Sequence, residues 1–276
     1  MTIAVDSHVH LLPERIQREP LLIGEHDPWF AACHAGNKPI TTTDELLRYM
    51  DREEIETTVV YSWPFLKAEH CREANDFVAD VVSRQPERLV GCGIVQPNSA
   101  EALQEIERCA QMGLRGIGEL NCDAQEFSAE SSALPELAAR SVQLDLFWTL
   151  HCSEPVGHDY PGKGTATPDR IVKLIEKCPG LTVICAHLGG GLPFYAQMPE
   201  IANLCSDLWF DIAAVPFLYK ASVLNQVIAA VGSDRILFGS DFPLLPRSRY
   251  CEMVEMTEES VQNAIWQGNA RRLLAR

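Results

Sequence analysis

The chain has 276 residues, of which 46% are apolar and 22% charged, values that exclude disordered and fibrous classes. Its 38 acidic against 23 basic side chains leave a net charge of −15, so nucleic acid and anionic membranes are not expected partners, whereas a small molecule is. No apolar run of about 18 residues is present, no apolar leader follows the N-terminus, and the ten cysteines contain no Cys-x-x-Cys, their nearest pair being Cys178 and Cys185. Together these features predict a cytoplasmic protein with reduced thiols.

Taken in chain order, short β-branched apolar runs alternate with longer helical periods. Residues 3–9 predict a first strand, followed by an insertion over 11–41. Thr42-Thr43-Asp44-Glu45 resembles a capping box, opening a helix that places Leu46, Leu47 and Met50 on one face. Strands are predicted at 56–61, 89–95, 115–120, 144–150, 181–186, 208–213 and 236–239. The intervening helical patterns run over 69–85, 100–112, 135–142, 168–178, 193–205 and 221–231, and a last one over 258–274. A second insertion, 152–167, follows strand five. The runs are almost continuously apolar, as parallel strands buried on both faces require. Eight strands alternating with helices predict an α/β fold, a distorted (β/α)8 TIM barrel in a single domain spanning 1–276. An open doubly wound sheet gives the same local signals, but the strand count and the absence of Gly-x-Gly-x-x-Gly after strand one favour the barrel. Gly189-Gly190-Gly191 lacks both the dinucleotide spacing and a Walker lysine.

Four of the eight histidines fall at predicted strand ends: His8, His10, His151 and His187. His8 and His10 stand two apart, so both side chains point to one face of the strand. Glu119 ends strand four and Asp241 ends strand eight. In a closed barrel these six groups meet at the carboxyl-end mouth, where imidazoles and carboxylates form a donor set suited to zinc, iron or manganese. Singly, each has an ordinary reading as a turn, cap or core residue; jointly, at strands one, four, five, six and eight, they predict a metal site.

Val5-Asp6-Ser7-His8-Val9-His10, His151, Ala186-His187-Leu188-Gly189-Gly190 and Phe238-Gly239-Ser240-Asp241-Phe242-Pro243 together resemble the amidohydrolase superfamily. Within it they resemble the amidohydrolase-related branch that contains aminocarboxymuconate semialdehyde decarboxylase, aromatic-acid decarboxylases, lactonases and other hydrolases. Gly268-Asn269-Ala270-Arg271-Arg272-Leu273-Leu274 is similar to the helix that closes such chains. The resemblance implies His8, His10, His151 and Asp241 as metal ligands, and His187 and Asp241 as catalytic residues handling protons. Glu119 stands where some members carry a carbamylated lysine. It resembles a glutamate that bridges two metals in other members, and it also reads as a strand-end carboxylate paired with a cation such as Arg115. The implied cofactor is one or two divalent metal ions, zinc foremost.

Residues just past the strand ends are candidates for substrate contact, chiefly Trp63 and Asn121, then Phe65, His158, Asp159, Tyr160 and Lys163. Arg247 and Arg249 read as surface arginines, and His26, His34, Trp29 and Phe30 have no fixed direction, the last two suiting a lid or a subunit contact in a homodimer. The expected activity is hydrolysis of a lactone, amide or ester by a metal-activated water. Decarboxylation of an unsaturated or aromatic acid is the alternative, and a binding or regulatory barrel the third. Hydrolysis is preferred because Glu119 would add negative charge beside the metal and disfavour an anionic substrate.

Overall fold

The computed structural model describes residues 3–34 and 40–275; part of the first insertion, residues 35–39, lies outside the described residues. Eight parallel strands follow one another around the sheet in chain order. They are β1 (Ala4–His10), β2 (Ile55–Tyr61), β3 (Leu89–Gly93), β4 (Gly116–Leu120), β5 (Phe147–Leu150), β6 (Val183–Cys185), β7 (Trp209–Asp211) and β8 (Ile236–Leu237). β8 is short because the chain beyond it leaves β7 and turns to β1. Ser7 N–H donates to the Phe238 carbonyl at 2.8 Å, Asp241 N–H to that of His8 at 2.9 Å, and Val9 bridges Phe242 in parallel. Those bonds close the barrel. Gly239 permits the closure, since a Cβ there would stand 2.8 Å from the His8 Cβ.

Buried Asp6 holds the same seam, accepting from Ser240 N–H at 2.9 Å, His8 N–H at 3.2 Å and Tyr49 O–H at 3.3 Å. Burial raises its carboxyl to about 6, and the bonds from Ser240 and His8 oppose the rise. β1 loses its regular register against β2 between Asp6 and Val9, the stretch that carries His8.

The helices cover the outside. α4 (Thr43–Arg52) opens on the expected capping box, Thr42 accepting from Glu45 N–H while the Glu45 carboxylate takes Thr42 N–H. It buries Leu46, Tyr49 and Met50 but leaves Leu47 only partly covered. The first insertion folds into three short helices that its composition did not signal: α1 (Glu14–Arg18), α2 (Pro20–Gly24) and α3 (Pro28–His34). The helix predicted over 258–274 forms as a continuous run interrupted by a π-helical turn at Ala264–Gly268. Strand five starts later than expected because Leu144 and Asp145 complete the preceding turn. All ten cysteines are free thiols. Among the described residues no helix is long and apolar enough to cross a membrane.

Candidate metal centre and its cavity

The expected six groups converge at the carboxyl ends of the strands. His8 and His10 bring their Nε2 atoms within 3.1 Å of each other. The outer nitrogen of each ring decides what the inner one can do. His8 Nδ1 donates to Asp211 Oδ2 at 2.8 Å and His10 Nδ1 to the Ser62 carbonyl at 3.2 Å. Carboxylates and carbonyls only accept, so both Nδ1 atoms carry hydrogen and both Nε2 lone pairs face inward. His187 is tied the same way, Nδ1 donating to the Ala213 carbonyl at 2.9 Å. His151 is reversed: Nε2 donates to the Gly162 carbonyl at 3.0 Å, which turns Nδ1 inward.

Glu119 stands among these nitrogens. Its Oε1 lies 3.0 Å from His151 Nδ1 and 3.2 Å from His187 Nε2, and its Oε2 lies 3.8 Å from His10 Nε2 and 3.9 Å from His8 Nε2. Asp241 Oδ1 is 3.2 Å from His10 Nε2. Two overlapping groups, His8–His10–Glu119 and Glu119–His151–His187, have the closeness a metal ion needs. The chemistry of the donor set fits such an ion. Four lone-pair nitrogens and two carboxylates, none more than 16% exposed, point at one another with no donor of their own to offer. Only protons or a cation can satisfy that arrangement, and nitrogen and oxygen donors suit a divalent one.

The protein alone meets the demand with protons. Burial opposes charge on His8 and His187, but Asp211 and Glu119 overcome it with help from Asp241, raising His8 to about 9 and His187 to about 10. The histidines do the converse to the carboxylates. Against the cost of burial, Asp241 falls to about 2 and Glu119 lies well below the usual carboxylate range.

His187 is held by backbone in an uncommon conformation. His187 and Leu188 have φ of 56° and 54°, and Gly189, Gly190 and Gly191 continue in the left-handed region. For non-glycine residues that conformation costs about 1–3 kcal/mol each. A Cβ on Gly190 would stand 2.3 Å from the Ser153 carbonyl oxygen. The glycine run is therefore a tight turn that presents His187, whose N–H donates to Asp211 Oδ1 at 2.9 Å.

Several expectations need correcting. Glu119 does not pair with Arg115, which donates to the Leu274 carbonyl at 3.3 Å and borders a separate cavity beside Leu146 and Phe147. Arg247 is not a surface residue. It is 2% exposed, donates to the Glu53 carbonyl at 2.6 Å and lies 4.5 Å over the Trp266 ring. Lys163 turns into its own loop, and Phe65 and Phe30 are core. Asp211 escaped the sequence reading, although it ends β7 just as the others end theirs. It positions both His8 and His187.

Above the cluster lies a cavity of about 340 Å³. Trp63 lines it, beside Trp29, Cys33 and His34 of α3, with His158 and Tyr160 from the second insertion and Phe217 and Leu244 from later loops. His34 stacks on Phe30 at 4.0 Å and meets the Trp63 ring edge-on at 4.7 Å. Asn121 reaches the cavity too, but its Oδ1 accepts from Asp123 and Ala124 N–H at 2.9 and 3.0 Å and so shapes its own turn. His26 is exposed and does not line the cavity.

Residues 5–276 match the amidohydrolase family. The chain belongs to that family. Two curated relatives are decarboxylases. Gamma-resorcylate decarboxylase of Polaromonas sp. (strain JS666 / ATCC BAA-500) is 25% identical over 83% of this chain and 86% of its own length. The 2-amino-3-carboxymuconate-6-semialdehyde decarboxylase of Dictyostelium discoideum is 24% identical over 72% and 65%. A solved dihydroxybenzoic acid decarboxylase from Polaromonas sp. JS666, with bound manganese and 2-nitroresorcinol, superposes with a TM-score of 0.75 at 20% identity, covering 100% of this chain and 97% of that one. The fold is thus that of the amidohydrolase barrels, and the chain is an enzyme of that superfamily whose clustered histidines and carboxylates could hold a metal ion.

These findings overturn the expectation of a hydrolase and that of zinc, since the relatives are decarboxylases and the solved neighbour holds manganese. Glu119 does not charge the mouth negatively, because four imidazoles surround it and two of them are pushed toward the charged form.

Proposed function

We propose that this barrel is a metal-dependent decarboxylase of a small aromatic or unsaturated carboxylic acid. The observation that carries the proposal is a cluster of histidines and carboxylates close enough to hold a cation, beneath an aromatic-walled cavity of about 340 Å³. The decarboxylase relatives support the same reading.

The cation would be held by His8, His10 and Asp241, with Glu119 and His151 facing them. When bound, it supplies Lewis-acid stabilisation of the negative charge that develops as the carbon–carboxylate bond breaks. Manganese is the first metal to try, by likeness to the solved neighbour. The walls orient the substrate: Trp63, Trp29 and Phe217 offer faces and edges to a flat ring and exclude water from it. His187 handles the proton. Its Nδ1–H is fixed on the Ala213 carbonyl, so only Nε2, aimed into the cluster, can gain or lose one. The substrate loses carbon dioxide, and the electron pair left on carbon takes the proton from His187 Nε2. His187, which lines the cavity, then regains its proton from solvent.

The test is carbon dioxide release by manganese-loaded protein from a panel of hydroxybenzoates and unsaturated acids. Release from at least one acid, abolished by His187→Gln with metal content unchanged, is the expected result. Turnover of lactones or esters with no carbon dioxide from any acid would overturn it.

A further inference from the structure

Asn121 is the first residue past β4 and stands two residues beyond Glu119. It is 2% exposed and lines the cavity above the cluster. Its Oδ1 accepts two backbone hydrogens, from Asp123 N–H at 2.9 Å and Ala124 N–H at 3.0 Å. Backbone N–H groups only donate, so the amide oxygen must take that side and the amide nitrogen the other. The opposite orientation would set the Nδ2 hydrogens against two N–H groups. What the side chain presents elsewhere is therefore a donor and nothing else.

Nδ2 meets no acceptor among the described residues, and it is not sealed from solvent, so its hydrogens open on the cavity that the residue lines. The turn beneath it is fixed. Gln125, fully buried, accepts Asn121 N–H through Oε1 at 3.1 Å and donates from Nε2 to the Val95 carbonyl at 2.7 Å, while its own N–H donates to the Asn121 carbonyl at 3.0 Å. Asp123 ties the turn to the second insertion, accepting from Thr165 N–H at 2.6 Å and from Thr165 Oγ1–H at 2.8 Å. No lysine or arginine stands among the described residues that line the cavity, and the Tyr160 hydroxyl hydrogen is committed to Glu154 at 2.8 Å. An oxygen of a ligand in the cavity thus finds at Asn121 an N–H donor whose aim is already set by the folded chain.

We propose that Asn121 is a specificity-determining residue, whose Nδ2 hydrogens bond an oxygen acceptor of the ligand, on its carboxylate or on its ring. For the choice of an acid as ligand, the inference rests on the decarboxylase reading above; for the direction of the hydrogen bond, from protein to ligand, it does not. Loss of one hydrogen bond to a charged oxygen weakens binding by about 10–100-fold. A pocket with such a donor selects ligands that bring an acceptor to it.

The experiment compares affinities rather than rates. Manganese-loaded wild type, Asn121→Asp and Asn121→Ser are titrated calorimetrically with benzoate and with its 2-, 3- and 4-hydroxy derivatives. Asp keeps an oxygen for the turn and exchanges the donor for an acceptor; Ser is uncharged, and its shorter hydroxyl still accepts locally but withdraws the donor from the cavity. Both variants are expected to retain the wild-type metal content and to lose about 10–100-fold in affinity. An equal loss for all four ligands assigns the bond to the carboxylate. A loss confined to one hydroxy derivative, which then binds no better than benzoate, assigns it to the ring oxygen. Wild-type affinities in both variants overturn the inference. So does a loss in Asn121→Asp alone, which is repulsion by the new charge, or a loss that comes with lost metal, which makes Asn121 a support of the cluster. A wild type that binds none of the four overturns it as well. Ligands that bind and weaken as expected, with no carbon dioxide released from any acid, defeat the decarboxylase reading and leave the inference standing.

Discussion

The floor of the cavity and its walls are built by different means. Every floor residue stands at or just past the end of a strand, and each imidazole is fixed through its outer nitrogen, on Asp211, Ser62, Gly162 or Ala213. The walls come from connections: a three-helix insertion carrying Trp29 and His34, the 152–167 loop, and the segments that carry Trp63, Phe217 and Leu244. Those side chains are held by packing, as His34 is between Phe30 and Trp63. A floor fixed by directional bonds suits the bond-breaking chemistry, whereas walls fixed by packing can change with the substrate. If that division holds, floor variants should lose metal or, at His187, proton transfer, and wall variants should lose only substrate affinity.

The largest effect is expected from His8→Ala combined with His10→Ala. Two inward nitrogens 3.1 Å apart disappear, and elemental analysis should find no retained metal, with the circular dichroism spectrum unchanged. Full occupancy in that variant would move the site elsewhere. Asp211→Asn comes next. Asp211 accepts from His8 Nδ1–H, His187 N–H and Ala213 N–H at 2.8, 2.9 and 3.1 Å, and the change removes its charge while keeping its shape. Manganese affinity should fall by about 10–100-fold. Wild-type affinity would show that the floor does not depend on its outer hydrogen bonds.

For the walls, Trp63→Ala should raise KM for the best acid by about tenfold, with kcat changed less and metal content unchanged. Loss of metal in Trp63→Ala would erase the division between floor and wall.

The same division explains what the sequence made legible. Strand ends have a direction set by the period of two and by the barrel, so His8, His10, Glu119, His151 and Asp241 could be placed together from spacing and strand order alone. Asp211 was equally placed, but a lone aspartate carries no motif of its own. The walls were not legible, because no period fixes where a loop residue points: Trp63 lines the cavity while Phe65, two residues on, is core, and Arg247 folds back onto Trp266. The chemistry was misjudged for a related reason. Counting Glu119 as an added negative charge ignored the four imidazoles around it, three of them fixed by backbone carbonyls from elsewhere in the chain and His8 by the Asp211 carboxylate.

The smallest effect expected is on stability against pH, and it too separates floor from wall. In metal-free protein His8 and His187 titrate at about 9 and about 10, above the ordinary histidine value of 6.5. A raised value means the folded state holds the proton more tightly than the unfolded one. That stabilisation is complete below pH 6.5 and is lost as the pH rises through 9 and 10. Asp241 is the opposite case: its value falls from 3.8 to about 2, so its contribution is present above 3.8 and lost as the pH falls through 2. The Tm of metal-free protein should therefore slip between roughly pH 4 and 6, as buried Asp6, raised to about 6, gives up its proton, and fall by several degrees more toward pH 10. Binding a divalent cation displaces these protons, so manganese should raise Tm more at pH 9 than at pH 6, and its uptake near neutrality should release protons into the buffer. His187→Gln should flatten part of the alkaline fall, whereas Trp63→Ala should lower the whole curve without changing its shape. Calorimetry across that range decides the matter: an alkaline limb unchanged by His187→Gln would mean that the floor's histidines do not carry the protons that its geometry demands.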